Sequence, residues 1–235
     1  MISYKSCLTF IYINSFLFLL NYLKLLTVIR NCLILLFIYS GTNHKKKIHD
    51  NIYHFKSMDL FYFCSSNLLQ TVNEYFVEHY LLRKSKIYFI IRLFAFEICL
   101  DFFHYLAHRI SHTFYRFHKA HHNYPHPVLI NTYYHHPIDL ILVDCIPTII
   151  SFWLVPFEST SLVLIYKSFI EISGHSGKYI APSSCFPLCV WLPRILGIEL
   201  YTEDHDLHHA LSMVNYSKRF SLWDRVFGTF KRKLN

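Results

Sequence analysis

The chain has 235 residues, of which 53% are hydrophobic, 18% are aromatic and only 16% are charged. Soluble domains carry roughly 25% charged residues, so this composition favours a single-domain integral membrane protein over a soluble one. The net charge is +8, but the basic residues form short clusters between apolar runs. That arrangement is typical of membrane-facing loops and not of a nucleic-acid-binding surface. The seven cysteines are scattered and odd in number, which excludes a secreted disulfide framework.

Residues 1–86 are predicted to anchor the chain in the membrane. As one helix, the apolar stretch 7–40 would be roughly 50 Å long, which exceeds a hydrocarbon core near 30 Å. Two short spans fit this length, and so does one tilted span with an interfacial extension. Residues 41–86 are more polar, and an amphipathic patch near 58–63 is expected to lie at the membrane interface.

The next apolar helix is predicted at residues 87–107, and its polar residues are ordered. Glu97, Asp101, His104 and His108 follow the spacing i, i+4, i+7, i+11, which confines them to an arc of roughly 60° on the helix surface. An ionisable group that faces lipid costs several kcal/mol, so this stripe is expected to face a helix bundle or a functional site. A polar seam between helices is the simpler alternative.

The segments 138–156 and 161–172 are predicted to form an apolar hairpin that enters and leaves the membrane through one face. Residues 176–235 contain several helix breakers, so a cap that lies on the membrane fits them better than another span. We therefore expect an all-α, polytopic membrane protein with about four transmembrane helices and a cytosolic, histidine-rich helical cap. Its domains are an anchoring region, 1–86, and a catalytic domain, 87–235.

Repeated histidine patterns are the feature of this sequence that indicates a chemical function. The pattern H-x-x-H-H occurs at residues 118–122 and again at 205–209, and an H-x-x-x-H pair lies at 104–108. Two such five-residue patterns should arise by chance in well under about a hundredth of chains with this histidine content. On a helix, positions i, i+3 and i+4 share a face, and neutral imidazole binds transition metals. We predict a metal-dependent membrane enzyme with the ligands His104, His108, His118, His121, His122, His205, His208 and His209.

The number of histidines bears on the metal. Eight imidazoles exceed the needs of one tetrahedral zinc ion, whereas two octahedral irons with open positions need about this number. His175, in the word Gly174-His175-Ser176-Gly177, is predicted as a ninth ligand. Further ligands, or hydrogen-bond partners of ligands, are expected among His136, Asp101 and Asp206, with His135 ranked below His136. The other histidines are assigned to the surface or the membrane interface: His44, His49, His54, His79, His112 and His126.

The order of these patterns resembles the fatty acid hydroxylase superfamily, which includes sterol desaturases and C-4 methylsterol oxidases. The words around them strengthen the resemblance: Phe117-His-Lys-Ala-His-His122, Tyr134-His-His-Pro-Ile-Asp139 and Glu203-Asp-His-Asp-Leu-His-His209. The most specific part runs on through Asn215-Tyr216 to Leu222-Trp-Asp-Arg-Val-Phe-Gly-Thr229. The resemblance covers roughly residues 90–230.

The resemblance implies a non-haem di-iron oxygenase of the endoplasmic reticulum membrane whose histidines face the cytosol. Such enzymes use O2, and electrons that come from NAD(P)H through cytochrome b5 or a related carrier, to attack C–H bonds of sterols, fatty acyl chains or sphingolipids. They need no catalytic residue apart from the metal site, and zinc can replace the two irons on overexpression. The chain contains no His-Pro-Gly-Gly word of a fused cytochrome b5 domain, so the donor is expected to be a separate protein.

The sequence leaves the product and one other class of function open. Hydroxylation and alkene formation of the sterol C-5 desaturase type both fit the ligand set. The H-x-x-x-H spacing resembles that of the sterol-acting branch of the family, which implies a sterol or a related isoprenoid lipid. A metal transporter would place its ligands near the bilayer midplane, whereas these lie at helix ends. A catalytically inactive, metal-binding membrane scaffold is the remaining alternative.

Overall fold

The computed structural model describes residues 36, 47–48, 57–178 and 191–232. Within these residues the chain is helical and contains no β-strand, as predicted; the one extended contact is an isolated bridge between Lys47 and Lys178. The spans expected at 7–40 lie outside the described residues. The α-helices are α1 Ser57–Tyr80, α2 Phe89–Thr113, α3 Tyr115–His118, α4 Pro137–Leu140, α5 Ile146–Leu154, α6 Ser161–Gly174, α7 Trp191–Ile195, α8 Thr202–Leu211 and α9 Leu222–Val226.

A π-helical turn, Ile141–Cys145, joins α4 to α5 and has a local cause in the sequence. Pro147 lacks the N–H that would bond to the Val143 carbonyl four residues earlier, so the regular α-helical pattern cannot continue through this point. The freed carbonyl accepts a hydrogen bond from His104 Nδ1 on α2, at 2.7 Å. The irregular turn therefore fixes a histidine of the predicted site.

The apolar core lies where α2 packs against α5, α6 and the connection between them. The Phe96 ring on α2 lies 4.5 Å from the Phe152 ring and 5.8 Å from the Phe157 ring, between centroids. All three side chains are buried. Burial of each contributes on the order of 1.5–3 kcal/mol, so this cluster holds α2 firmly against the hairpin and fixes the polar face of the same helix.

The polar stripe of α2 faces the protein interior, as its spacing predicts. Glu97, Asp101, His104 and His108 are all buried. Glu97 pairs with the buried Arg219 of the C-terminal segment, with 3.2 Å between Oε2 and Nε. The stripe thus joins α2 to residues that are more than a hundred positions away in the sequence.

Helix α1 belongs to the same packed unit as the histidine-bearing elements. The Phe63 and Tyr133 rings lie 5.4 Å apart, and the Tyr62 and Tyr134 rings lie 4.9 Å apart, each in an edge-to-face arrangement. Tyr133 ends a 3-10 helix, Leu129–Tyr133. These contacts carry the packing across the predicted domain boundary at residue 86.

One described helical run, Pro137–Leu154, is long and apolar enough to cross a bilayer by length and composition. It corresponds to the first arm of the predicted hairpin, and α6 corresponds to the second. Helix α2 is longer, at 25 residues, but it carries charged residues along one side. The number of four spans therefore stays a prediction.

Candidate metal centre

Five histidines from four elements form the first cluster of the site. Helix α2 supplies two of them, α3 and the 3-10 helix His121–Asn123 one each, and α8 the last. One nitrogen of each lies within 4.8 Å of the corresponding nitrogen of every other member. The Nε2–Nε2 distances include 3.1 Å between His108 and His118, and 3.1 Å between His122 and His208. The members are His108, His112, His118, His122 and His208.

Four buried histidines form the second cluster, and its nitrogens meet the same 4.8 Å limit. His175, at the end of α6, approaches His205 of α8 with 3.0 Å between the Nε2 atoms. His205 in turn lies 3.2 Å from His209, again between Nε2 atoms. His121 completes the set. Because His121 and His122 are sequence neighbours in different clusters, the two groups lie side by side.

Hydrogen bonds at the far side of each ring fix the tautomer of several of these histidines. His108 Nδ1 lies 2.8 Å from the Tyr216 carbonyl, His208 Nδ1 lies 2.7 Å from the Val214 carbonyl, and His175 Nδ1 lies 2.8 Å from the Glu171 carbonyl. A carbonyl oxygen only accepts, so Nδ1 carries the proton of the neutral ring. Each Nε2 then presents a lone pair to the cluster.

One of the two closest pairs in the first cluster, His108 and His118, has the geometry of two metal ligands. His118 Nδ1 donates to Asp139 Oδ1 at 2.8 Å, so both His108 and His118 turn unprotonated Nε2 atoms toward each other. Two facing lone pairs 3.1 Å apart repel unless a cation lies between them. Metal–nitrogen bonds of about 2.0–2.1 Å at right angles hold two nitrogens about 3 Å apart. The donor set therefore fits a bound transition-metal ion.

Burial keeps the imidazoles neutral and ready to bind a cation. Burial and the neighbouring His118 ring lower the pKa of His112 to about 3. Burial and the Lys218 ammonium lower the pKa of His175 to about 3 as well. Burial, reinforced by His122, also lowers the pKa of His208 well below its ordinary value of about 6.5. At neutral pH these rings are therefore unprotonated at Nε2.

Asp139, the last residue of the word Tyr134-His-His-Pro-Ile-Asp139, holds two histidines at once. Its second oxygen accepts from His135 Nδ1 at 2.9 Å, and the His135 ring stacks on His121 with centroids 4.1 Å apart. Asp139 is buried. One carboxylate thereby orients a member of the first cluster directly, and it supports a member of the second cluster through His135.

A cavity lies between the clusters and the buried charges of α6 and the C-terminal segment. His104, Asp144, Glu171 and Lys218 all contribute to its wall. Lys167 joins two of them, with Nζ 2.7 Å from Asp144 Oδ1 and 2.8 Å from Glu171 Oε1. The site is therefore bordered by an ion network and not only by apolar side chains.

Eight of the nine histidines predicted as ligands lie in the two clusters. The ninth, His104, lies outside both, although its ring is 5.1 Å from that of His108 and it borders the same cavity. The eight are His108, His118, His121, His122, His175, His205, His208 and His209.

The residues predicted as further ligands, or as hydrogen-bond partners of ligands, belong to neither cluster. His136 caps α4 by accepting from the Ile138 N–H, away from the clusters, whereas His135 beside it adjoins the site. Asp101 accepts three backbone N–H groups of the segment 218–220. Asp206 pairs with His126, with 3.1 Å between Oδ1 and Nδ1. The sequence ranked His135 below His136, and the structure reverses that order.

The assignment of His112 to the surface is wrong, because the ring lies inside the first cluster. Its Nε2 is 3.3 Å from His208 Nε2. The i, i+4 pair His104 and His108 continues to His112 at i+8, so the helical period itself was the signal. His79, also assigned to the surface, is exposed and stacks on Tyr75.

Comparison with protein families matches residues 93–229 to the family model described as fatty acid hydroxylase. The chain is 34% identical over 150 residues to fatty acid hydroxylase vlmA of Lecanicillium sp., covering 58% of this chain and 41% of that protein. It is 33% identical over 138 residues to C-4 methylsterol oxidase erg25 of Schizosaccharomyces pombe (55% and 43%). Human lathosterol oxidase is 29% identical over 147 residues (60% and 46%). The chain spans about half the length of these curated relatives, and no solved structure matches it.

Proposed function

Because the chain belongs to the fatty acid hydroxylase family, we propose that it is a membrane-bound, non-haem di-iron oxygenase that hydroxylates a lipid. The relatives are named as a fatty acid hydroxylase, a methylsterol oxidase and a sphinganine monooxygenase, all oxidoreductases that act on lipids. We infer a sterol or a fatty acyl chain as the substrate class. Alkene formation is the alternative outcome, because the histidine set by itself does not decide between the two products.

The observation that carries the proposal is the presence of two adjacent histidine clusters with four and five members, all buried except the half-buried His112. The rings of His122 and His209, one from each cluster, lie 4.6 Å apart between centroids. Members of both clusters, such as His118 and His205, line one cavity. When bound, two irons would supply O2 binding and the electron transfers that the reaction requires.

The residues of the chain position the ligands and exclude water. Carbonyl groups hold the Nδ1 proton of His108, His175 and His208, so the Nε2 atoms stay available at neutral pH. Asp139 does the same for His118. Burial of the clusters keeps bulk water away from most of these rings. The net reaction is RH + O2 + 2 e⁻ + 2 H⁺ → ROH + H2O, where RH is the lipid.

The same proposal includes a location and an electron source. We infer an integral protein of the endoplasmic reticulum whose site faces the cytosol, where a cytochrome b5-type carrier delivers electrons derived from NAD(P)H. Basic residues of the histidine-bearing segments support this orientation through the positive-inside rule. Large exposed apolar side chains on α1 and α5, such as Phe61 at 48% and Trp153 at 61%, fit contact with lipid.

The experiment that tests the proposal combines metal analysis with lipid profiling. The chain is expressed in a sterol-producing cell, purified in mild detergent and expected to carry about two metal ions per chain. Total lipids analysed by mass spectrometry should show a new oxidised product. His108→Ala, His121→Ala and His208→Ala should each abolish it, whereas the exposed His79→Ala should not. A folded, active and metal-free preparation would refute the proposal.

A further inference from the structure

A chain of aromatic rings connects the first histidine cluster to one patch of the protein surface. The Tyr216 ring lies 5.8 Å from the His108 ring and 5.5 Å from the His208 ring, between centroids. The Tyr105 ring contacts Tyr216 edge-on at 6.0 Å and stacks on Phe227 at 5.1 Å with an interplanar angle of 12°. Phe227 is 42% exposed. Three rings thus lead from the cluster to solvent.

The connection also has a hydrogen-bonded branch. The Tyr216 carbonyl accepts the Nδ1 proton of His108 at 2.8 Å, and the Tyr105 hydroxyl lies 3.1 Å from Thr229 Oγ1. Tyr105 itself is fully buried. Thr229 Oγ1 also lies 2.7 Å from Asp224 Oδ1, and the same oxygen accepts from the Tyr216 N–H at 2.8 Å. Hydrogen bonds therefore connect Thr229 to His108 through the Asp224 side chain and the Tyr216 backbone.

Basic side chains surround the surface end of this route. Arg109 donates to the Tyr105 hydroxyl at 2.9 Å, and Arg225 lies over the Phe230 ring at 4.2 Å. Val226, beside Phe227, is 62% exposed. The acidic residue of this segment, Asp224, is buried. We name this patch the basic face; its exposed residues are Arg109, Arg225, Val226, Phe227, Lys231 and Arg232.

We propose that the basic face is the docking site of an acidic one-electron carrier protein, and that Tyr105 and Tyr216 link it to the first histidine cluster. In each encounter the reduced carrier loses one electron and the histidine-held site gains it, so two encounters supply the two electrons of the net reaction. Redox encounters are small and depend on charge complementarity, and a few exposed apolar side chains ringed by arginine and lysine suit them. This inference rests on the proposed oxygenase function.

A second exposed ring, Tyr115, lies 6.1 Å from His112 and has the exposed Arg116 beside it. This surface is the alternative docking site. If the carrier docked there, changes in the basic face would not weaken its binding. The two surfaces differ in that only the basic face combines several cations with a hydrogen-bonded connection to His108. Arg225 and Lys231 are therefore the residues to change, since neither contacts the histidines.

The test uses the metal-loaded, full-length protein in neutral lipid nanodiscs and the soluble haem domain of a cytochrome b5 as the probe. Arg225→Glu/Lys231→Glu is compared with the matched pair Lys84→Glu/Lys86→Glu, which lies at the opposite end of α2, roughly 30 Å away. Calorimetric titration measures binding of the oxidised probe. Anaerobic stopped-flow absorbance measures oxidation of the reduced probe. Reduction of the site by dithionite shows whether the metal centre itself is intact.

We expect the basic-face variant to weaken probe binding at least about tenfold at low salt and to lose most of that difference at high salt. Its reduction by dithionite should match that of wild type, and the Lys84/Lys86 variant should behave as wild type throughout. The inference would be overturned if wild type, the basic-face variant and the Lys84/Lys86 variant bound the probe equally. It would also be overturned if only Arg116→Glu, tested in the same way, weakened binding. If the basic-face variant bound the probe as wild type does but attached less strongly to anionic lipid vesicles, the basic face would be assigned to membrane contact instead. If the wild-type protein neither oxidised the probe nor formed a lipid product, both the proposed function and the proposed docking site would be refuted.

Discussion

Asp101 on α2 accepts a hydrogen bond from the backbone N–H of Arg219, at 2.8 Å, across 118 positions of sequence. The same carboxylate accepts from the N–H groups of Lys218 and Phe220. One buried side chain therefore satisfies three consecutive backbone donors. Tyr216, whose carbonyl orients His108, lies two residues before this anchored segment. The stripe on α2 thus holds both a predicted ligand and the segment that orients it.

We expect Asp101→Ala to destabilise the protein and to loosen the metal site. The substitution leaves three buried N–H groups without an acceptor, and each costs about 1–3 kcal/mol. The Tm of the purified protein, followed by tryptophan fluorescence, should fall clearly, and metal affinity should fall with it. Asp101→Asn keeps one carbonyl oxygen and should lie between Ala and wild type. A normal Tm for Asp101→Ala would show that the anchor carries little energy.

His112 and His136 provide a direct comparison between a histidine inside the first cluster and one outside it. We expect His112→Ala to lower metal content and product formation, because its Nε2 faces that of His208 at 3.3 Å. His136→Ala should leave metal content unchanged, because this side chain only caps the short helix α4. Metal analysis by mass spectrometry after extensive dialysis measures the difference. Equal metal content in the two variants would remove His112 from the ligand set.

The sequence predicts the clustered histidines that come from local repeats and fails where contacts cross the chain. All six histidines of the two H-x-x-H-H words lie in the clusters, and each word contributes to both clusters. The choice between His135 and His136 depends on where Asp139 lies after α4 forms, since His135 contacts Asp139 whereas His136 caps the helix. The anchoring of Asp101 depends on a tail more than a hundred residues away. No local pattern encodes such a contact.

Asp139→Asn is expected to reduce metal affinity without unfolding the protein. The carboxylate accepts from both His118 and His135, whereas an amide offers one acceptor and one donor. One of the two rings must then move its proton to Nε2, which prevents that atom from binding a metal. Loss of such an orienting partner typically costs 10–100-fold in affinity. A chelator competition titration measures it, with Asp206→Asn, the partner of His126, as the control that should change affinity less than about twofold.

The metal-free protein should lose stability as the pH falls below about 6.5. The pKa of His112 and of His175 is about 3 in the folded state, against an ordinary value of about 6.5 when unfolded. Between these values the unfolded chain binds more protons, so stability is complete above pH 6.5 and declines as the pH falls toward 3. Thermal unfolding across pH 7.5 to 4.5 checks this. Bound metal adds stability without changing the proton balance in this range, so metal-loaded protein should unfold at a higher temperature at each pH. A metal-free protein whose Tm stays constant from pH 7.5 to 4.5 would contradict the expectation.

The last prediction concerns the side of the membrane on which the clusters lie. The two H-x-x-H-H words lie on either side of the hairpin formed by α5 and α6, yet their histidines meet at one site. This requires the hairpin to enter and leave through one face, and the positive-inside rule makes that face cytosolic. Asn215-Tyr216-Ser217 is a formal glycosylation sequon, and in microsomes Asn215 should stay unmodified.

The structure gives Asn215 a second reason to stay unmodified, so the sequon alone is a weak test. The side chain is fully buried, and its amide donates to the carbonyls of Asp204 and Lys231, while Lys231 N–H donates back to it. A stronger test appends a tag carrying a flexible sequon after residue 235. We expect the tag to remain unglycosylated and to be digested by protease added to intact microsomes. A glycosylated or protected tag would place the second H-x-x-H-H word in the lumen. Cytosolic electron donors could not reach it there, and the proposed orientation would be wrong.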